Sequence, residues 1–314
     1  MINPSSTSME LLRIVFPQHV NPASRLYGGR LMYWICEAGV LTASKHHKGP
    51  VVLGAMEDID ILAGVSLGDR VAFRSRVQAT FGSSMEVRVE VIKTDRAGQE
   101  PITTCRAHLT FIALGDNGKP TPVEAIKPEI EEEHESFRAA LTRREKRLKR
   151  LSQFDKKDQA DTAGFSSPSI AQAMRMVTPD MLLTNKVFAG EVMLGVDEIA
   201  AIACHRYCKK PAVTASMDAV DFHSPIFVHE HMRYRAAVNY VHESSMEIGI
   251  RVTAFDPYKS KMKRVCTAYA TFVAIGENGR PEKVESFKPI TEDEKRRFES
   301  GKTRREKRLE RLGR

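Results

Sequence analysis

The chain has 314 residues, 42% of them hydrophobic and 28% charged, with a formal net charge of +8. That length suits two domains of roughly 150 residues, each able to bury its own core. No apolar run approaches the ~18–20 residues that cross a bilayer. The N-terminus lacks a charged start followed by an apolar core, so no secretory signal is expected. Five scattered cysteines suit free thiols in a reducing cytoplasm better than a disulfide framework.

A short apolar stretch, LLRIVFP at 11–17, comes first. A loop containing Asn21 leads to the turn YGGR at 27–30 and then to a helical segment over 29–46. Leu31, Ile35, Ala38 and Thr42 recur at three- and four-residue steps, as a helix buried on one side requires. Gly39 inside it would cost about 1 kcal/mol against Ala in an exposed helix, so it marks a close packing contact. Four strand-like segments follow at 50–62, 70–81, 85–95 and 102–114, apolar in alternation and rich in β-branched residues. DRAG (95–98) signals a hairpin, and GDNG (115–118) turns the chain out of the last strand. An acidic-to-basic segment, 129–151, predicts a C-terminal helix.

The same order then starts again. With an offset of 161, Gly29 falls on Gly190, SSMEV (83–87) on SSMEI (244–248), and TRREKRL (142–148) on TRREKRL (303–309). Upstream the offset is 162, since Pro17 faces Pro179, so one residue has been lost or gained before the Gly turn. The expected domains are 1–151 and 170–314, joined by a polar linker, 152–169, that contains Gly164 and Pro168. One helix followed by an antiparallel meander, twice, is an α+β architecture with each sheet wrapped round its helix. Two fused copies stand in for a two-fold homodimer, so each site between them can draw residues from both.

Much of the excess positive charge lies in TRREKRLKRL (142–151) and TRREKRLERL (303–312). These fit a solvated helix face or an assembly surface. No aromatic stacking set or nucleic-acid motif accompanies them, which argues against nucleic acid as a partner.

Three features could carry chemistry. Gly28 and Gly29 stand at a helix start, where backbone N–H groups favour an anion or a developing oxyanion; a tight loop with no function also fits. Asp197 lies seven residues past Gly190, at a central helix position where an ionised side chain is expensive to bury unless partnered or used. Its counterpart in the first copy is Cys36, a small packing residue too far from the helix start to gain an activated thiolate. Asn21 lies in the loop ahead of the first helix, and its counterpart is Leu182 or Leu183. Cys204, His205 and Cys208 cluster but lack a paired second half, so no metal is expected. There is no G-x-S-x-G elbow and no phosphate-binding loop.

In these residues the sequence resembles the acyl-CoA thioesterases built from two fused hotdog domains. GGRLMYWICEAG, GEVMLGVDEIA, TASMDAVDF and the two SSME strands carry the resemblance. It implies a hotdog fold, with an antiparallel sheet round a long central helix in each half, and hydrolysis of acyl-CoA to fatty acid and CoA. A loop Asn and a helix carboxylate then meet across the domain interface as the catalytic pair, here Asn21 and Asp197, the carboxylate acting as general base or as nucleophile, with Gly28 and Gly29 contacting the thioester. The reciprocal site, with Cys36 and a Leu, is degenerate. No cofactor is implied beyond the CoA of the substrate, and further homo-oligomerisation of the fused chain is. A hotdog hydratase or dehydratase is an alternative, opposed by the absence of His from either Gly–helix segment before position 46. A non-catalytic acyl-CoA-binding or assembly protein is another.

Overall fold

The computed structural model describes residues 2–94, 98, 100–152 and 170–313. The expected linker therefore lies, apart from Ser152, outside the described residues, as does the DRAG hairpin apart from Gly98.

In the first half, β1 (Met9–Ile14) precedes α1 (Gly28–His47), followed by β2 (Val51–Met56), β3 (Ile59–Asp60), β4 (Arg70–Phe81), β5 (Ser84–Thr94), β6 (Ile102–Ala113) and α2 (Glu131–Ser152). The second half repeats this as β7 (Ala171–Met176), a small hairpin of β8 (Leu182–Leu183) and β9 (Lys186–Val187), α3 (Ala189–Cys208), β10 (Ala212–Met217), β11 (Val220–Asp221), β12 (His231–His242), β13 (Ser245–Asp256), β14 (Lys261–Ala274) and α4 (Glu292–Arg311). The two six-stranded sheets run β1-β4-β5-β6-β2-β11 and β3-β10-β14-β13-β12-β7, with antiparallel pairing throughout.

Each sheet curls round its own helix. Leu31, Ile35, Ala38 and Thr42 are buried, as their spacing predicts. α1 also packs against α3, so it is buried on two faces rather than one. A Cβ added at Gly39 would lie 2.5 Å from a Leu109 methyl carbon, the close contact that excludes a larger residue. In the strands, Val71, Phe73 and Val77 alternate inward with no exposed surface. In the turn after β6, Gly118 takes a positive φ of 71° and donates its N–H to Gly115 O.

One expected strand is divided. Residues 50–62 form β2, which stays in the first sheet, and β3, which crosses to the second through Met217↔Ile59 and Ser216↔Asp60. Reciprocally, β11 joins the first sheet through Val220↔Met56 and Asp221↔Ala55. The cause lies in the charged residues between β2 and β3. Glu57 is buried and paired with Arg147 at 3.0 Å, while Asp58 accepts the Ala219 N–H at 3.0 Å. Those contacts turn the chain away from its own sheet.

The basic helices hold this exchange together and are not merely solvated faces. Arg143 pairs with Glu86 at 2.6 Å and its copy Arg304 with Glu247 at 2.5 Å, which gives the Glu of each SSME strand its role. Arg147–Glu57 recurs as Arg308–Asp218, both at 3.0 Å. Arg150 crosses to Asp221 of the other half at 3.0 Å, and Arg311 crosses back to Asp60 at 2.7 Å. Each pair buries its charges in part, so each guanidinium depends on its carboxylate.

Candidate active site at the domain junction

The start of α1 abuts the middle of α3. A Cβ on Gly28 would lie 2.5 Å from Thr214 Oγ1 and 2.8 Å from Asp197 Oδ1, and one on Gly29 would lie 2.8 Å from Asp197 Cβ. No side chain fits in either place, so the Gly pair exists to let the two halves of the chain approach. Both glycines are buried, and Gly29 donates its backbone N–H to the Asp197 carboxylate.

Asp197 is 2% exposed. Thr214 donates its hydroxyl to Asp197 Oδ1 at 2.7 Å. Burial pushes the carboxyl up to about 6, although the hydrogen bonds from Thr214 and Gly29 pull it down. Thr214 gave no signal in the sequence, because one Thr in a strand is ordinary. Its placement comes from a β-bulge: the β10–β14 register shifts between Thr214 and Ser216, and the same shift occurs in β2–β6 between Leu53 and Ala55.

Two spaces flank this centre. A cleft of about 400 Å³ is lined by Gln18, Tyr27 and Arg30 from the first half and by Asp197, Glu198 and His205 from α3. A cavity of about 730 Å³ is lined by Leu26, Leu31, Val65 and Thr214, with Arg25 and Lys209 among its cations. His205 shares the cleft with Asp197 but is eight residues further along the helix, roughly 12 Å away by helical rise, so the two do not form an acid–base pair.

Asn21 lies in the loop before α1. Its side-chain oxygen accepts the Ala23 and Arg25 N–H groups at 3.0 and 3.1 Å, an Asx turn that shapes the loop. Its hydrogen bonds stay within that loop and none reaches Asp197. In the second copy, Leu182↔Val187 occupies the place of the Val20↔Leu26 bridge, which makes Leu183 the counterpart of Asn21. That copy of the loop is one residue shorter, which accounts for the change of offset. Cys36 is fully buried, and burial pushes its thiol up to about 12, so it is a neutral packing residue. The described residues bring His229, Glu230 and Asp256 together as possible cation ligands, but Lys263 and Lys259 already pair with the two carboxylates.

A family model described as the thioesterase superfamily matches residues 24–98 and 185–261, once in each half. The chain is 30% identical over 311 residues to a cytosolic acyl coenzyme A thioester hydrolase of Rattus norvegicus, covering 93% of this chain and 81% of that protein. It is 26% identical over 318 residues to acyl-coenzyme A thioesterase 11 of Mus musculus, covering 97% of this chain. The chain spans about half the length of that mouse relative (53%). A crystal structure of an acyl-ACP thioesterase from Bacteroides thetaiotaomicron matches with a TM-score of 0.53 at 12% identity, over 85% of this chain and 98% of that one, a likeness of fold.

Proposed function

The chain belongs to the thioesterase superfamily of hotdog folds, and from that premise we propose that it hydrolyses acyl-CoA to a fatty acid and CoA at one composite site. The observation that carries the proposal is the buried Asp197, held by Thr214 and pressed against the Gly28–Gly29 helix start of the other half. A carboxylate whose pKa stands near 6 is ionised at neutral pH yet basic enough to take a proton from water. In this mechanism, water adds to the thioester carbon as Asp197 accepts its proton. The carbonyl oxygen becomes an oxyanion that the Gly28 N–H stabilises, since the Gly29 N–H holds the carboxylate. Collapse breaks the carbon–sulfur bond, and the proton that Asp197 took from water passes to the sulfur, so that CoA leaves as the thiol. The role left to Asn21 in this mechanism is donation from its side-chain amide to the water or the carbonyl, since its oxygen is committed to the loop.

The larger cavity offers apolar wall for substrate, and Arg25 and Lys209 offer cations for CoA phosphates. No step calls on a metal or cofactor. The five cysteines are free and buried, which supports a reducing, cytoplasmic setting. We further propose domain limits of 1–151 and 170–314, and assembly of copies of the chain. Leu12 and Ile14 on the edge strand β1, and their counterparts Met174 and Met176 on β7, are 49–66% exposed, an apolar edge on each sheet that supports assembly. Colorimetric release of free thiol across a panel of acyl-CoA chain lengths tests the function. Release dependent on Asp197 supports it, and tight binding without release would favour the non-catalytic reading.

A further inference from the structure

The degenerate half of the duplication has lost its polar groups but kept a cavity. A space of about 240 Å³ is lined by Cys36, Leu53, Ala189 and Val192, together with Phe222 and Ile226. With the offset of 161 these residues correspond to Asp197, Thr214, Gly28, Leu31, Ile61 and Val65 of the working site. The carboxylate and the hydroxyl that holds it have become apolar and the first glycine has become Ala189, while Leu31, Ile61 and Val65 have apolar counterparts; His223 and Ser224, at the positions of Leu62 and Ala63, are the polar groups added to this wall beside Lys186. A site that had merely decayed would be free to fill with larger side chains, because close packing is the rule in protein interiors. Here the carboxylate–hydroxyl pair is gone and an open, mainly apolar space persists at the same place in the frame, with Lys186, His223 and Ser224 as its polar side chains.

The cations at its rim have changed as well. The working cavity has Arg25, Lys209 and Lys210 in its wall; Lys210 is held by Glu282, which leaves Arg25 and Lys209 for a ligand with several phosphates. At the matching positions the second cavity has Lys186 in place of Arg25, Lys48 in place of Lys209 and Gly49 in place of Lys210, and only Lys186 reaches its wall. One ammonium beside an apolar chamber matches one carboxylate on an alkyl chain.

We propose that this second cavity binds a free fatty acid, with the alkyl chain against Cys36, Val192 and Phe222 and the carboxylate at Lys186. The ligand class rests on the acyl-CoA reading, since a fatty acid is that reaction's product. Ala189 and Val192, which the chain would touch, lie eight and five residues before Asp197 on α3, so the product would sit against the helix that carries the catalytic carboxylate.

The test uses the full chain and dodecanoic acid with a terminal diazirine, photolysed and mapped by peptide mass spectrometry. Labelling on the peptides of Val52–Gly54 or Phe222–Ile226, displaced by dodecanoate and not by CoA, is the expected result. Val52→Trp, which fills the cavity, is expected to reduce that labelling at least fivefold with an unchanged far-ultraviolet circular dichroism spectrum. Because that variant is large and can disturb folding, Lys186→Glu provides a second arm: repulsion is expected to weaken dodecanoate binding about tenfold. Labelling confined to peptides around Leu26 and Val213, or undiminished binding in Lys186→Glu, overturns the proposal. So does displacement by dodecanoyl-CoA alone. Thiol release measured in parallel separates the two readings: labelling at this cavity in a protein that releases no thiol would sink the hydrolase and leave the fatty-acid site standing.

Discussion

In the proposed mechanism Asp197 combines function and instability in one group. Its rise from the usual 3.8 to about 6 corresponds to roughly 3 kcal/mol of stability lost at neutral pH. Asp197→Asn is therefore expected to lower thiol release at least ~100-fold while raising stability at pH 7.5 by up to about 3 kcal/mol, as measured by urea unfolding. The folded state holds this proton more tightly than the unfolded state. The group's contribution is thus full below about pH 4 and is lost as pH rises through about 6. Asp218 is also raised to about 6, chiefly by burial that its pairing with Arg308 does not offset. The difference between wild type and Asp197→Asn isolates the catalytic group. Catalysis has the opposite dependence: because the ionised form is the base, kcat/KM is expected to fall as pH drops through about 6. Asn21 allows a finer test. Asn21→Asp keeps the acceptor that shapes the loop and removes the amide donors, so its activity is expected to match that of Asn21→Ala without loss of stability. Full activity in Asn21→Asp would confine Asn21 to loop geometry. Asp197 was legible in the sequence because a carboxylate at a helix position spaced for burial is conspicuous, all the more when its copy is Cys36. Thr214 was not, since only the bulge in β10 turns it to the carboxylate.

At the level of elements, the duplication made the helices and long strands readable, because each was written twice in the same register. The exchange of β3 and β11 was not readable. Both lie in runs that continue a strand by alternation, and the acids just before them divert the chain: Glu57 and Asp58 before β3, drawn to Arg147 and Ala219, and Asp218 before β11, drawn to Arg308. The basic helices read as surface because charge density alone cannot tell a solvated guanidinium from a paired one. Burial separates their energetic roles. Glu247→Gln removes a 3% exposed carboxylate from Arg304 and Arg308 and is expected to destabilise the chain by about 3 kcal/mol. Arg311→Ala opens a pair whose side chains are 31% and 16% exposed, wetter than the Arg304–Glu247 pair, and is expected to cost about 1 kcal/mol. Urea unfolding of both variants checks the contrast, and equal effects would remove the distinction.

For the whole molecule, the exchanged strands, the crossing Arg pairs and the α1–α3 packing make the halves one unit. The proposed single site rests on which residues each copy has: the first has Asn21 and the Gly28–Gly29 turn, the second Asp197 and Thr214. The apolar edges at β1 and β7 extend the argument to assembly. Leu12→Glu with Met174→Glu is expected to reduce the mass found by sedimentation, with thiol release per chain retained if each site is complete within one chain. The most direct test of the central claim is steady-state thiol release from one acyl-CoA by Asn21→Ala, Asp197→Asn, Cys36→Ala and Leu183→Ala. One composite site predicts near-complete loss in the first two and rates within about twofold of wild type in the last two, on the scale of ordinary mild substitutions. Full activity in Asp197→Asn, or loss in Cys36→Ala with folding intact, would contradict it.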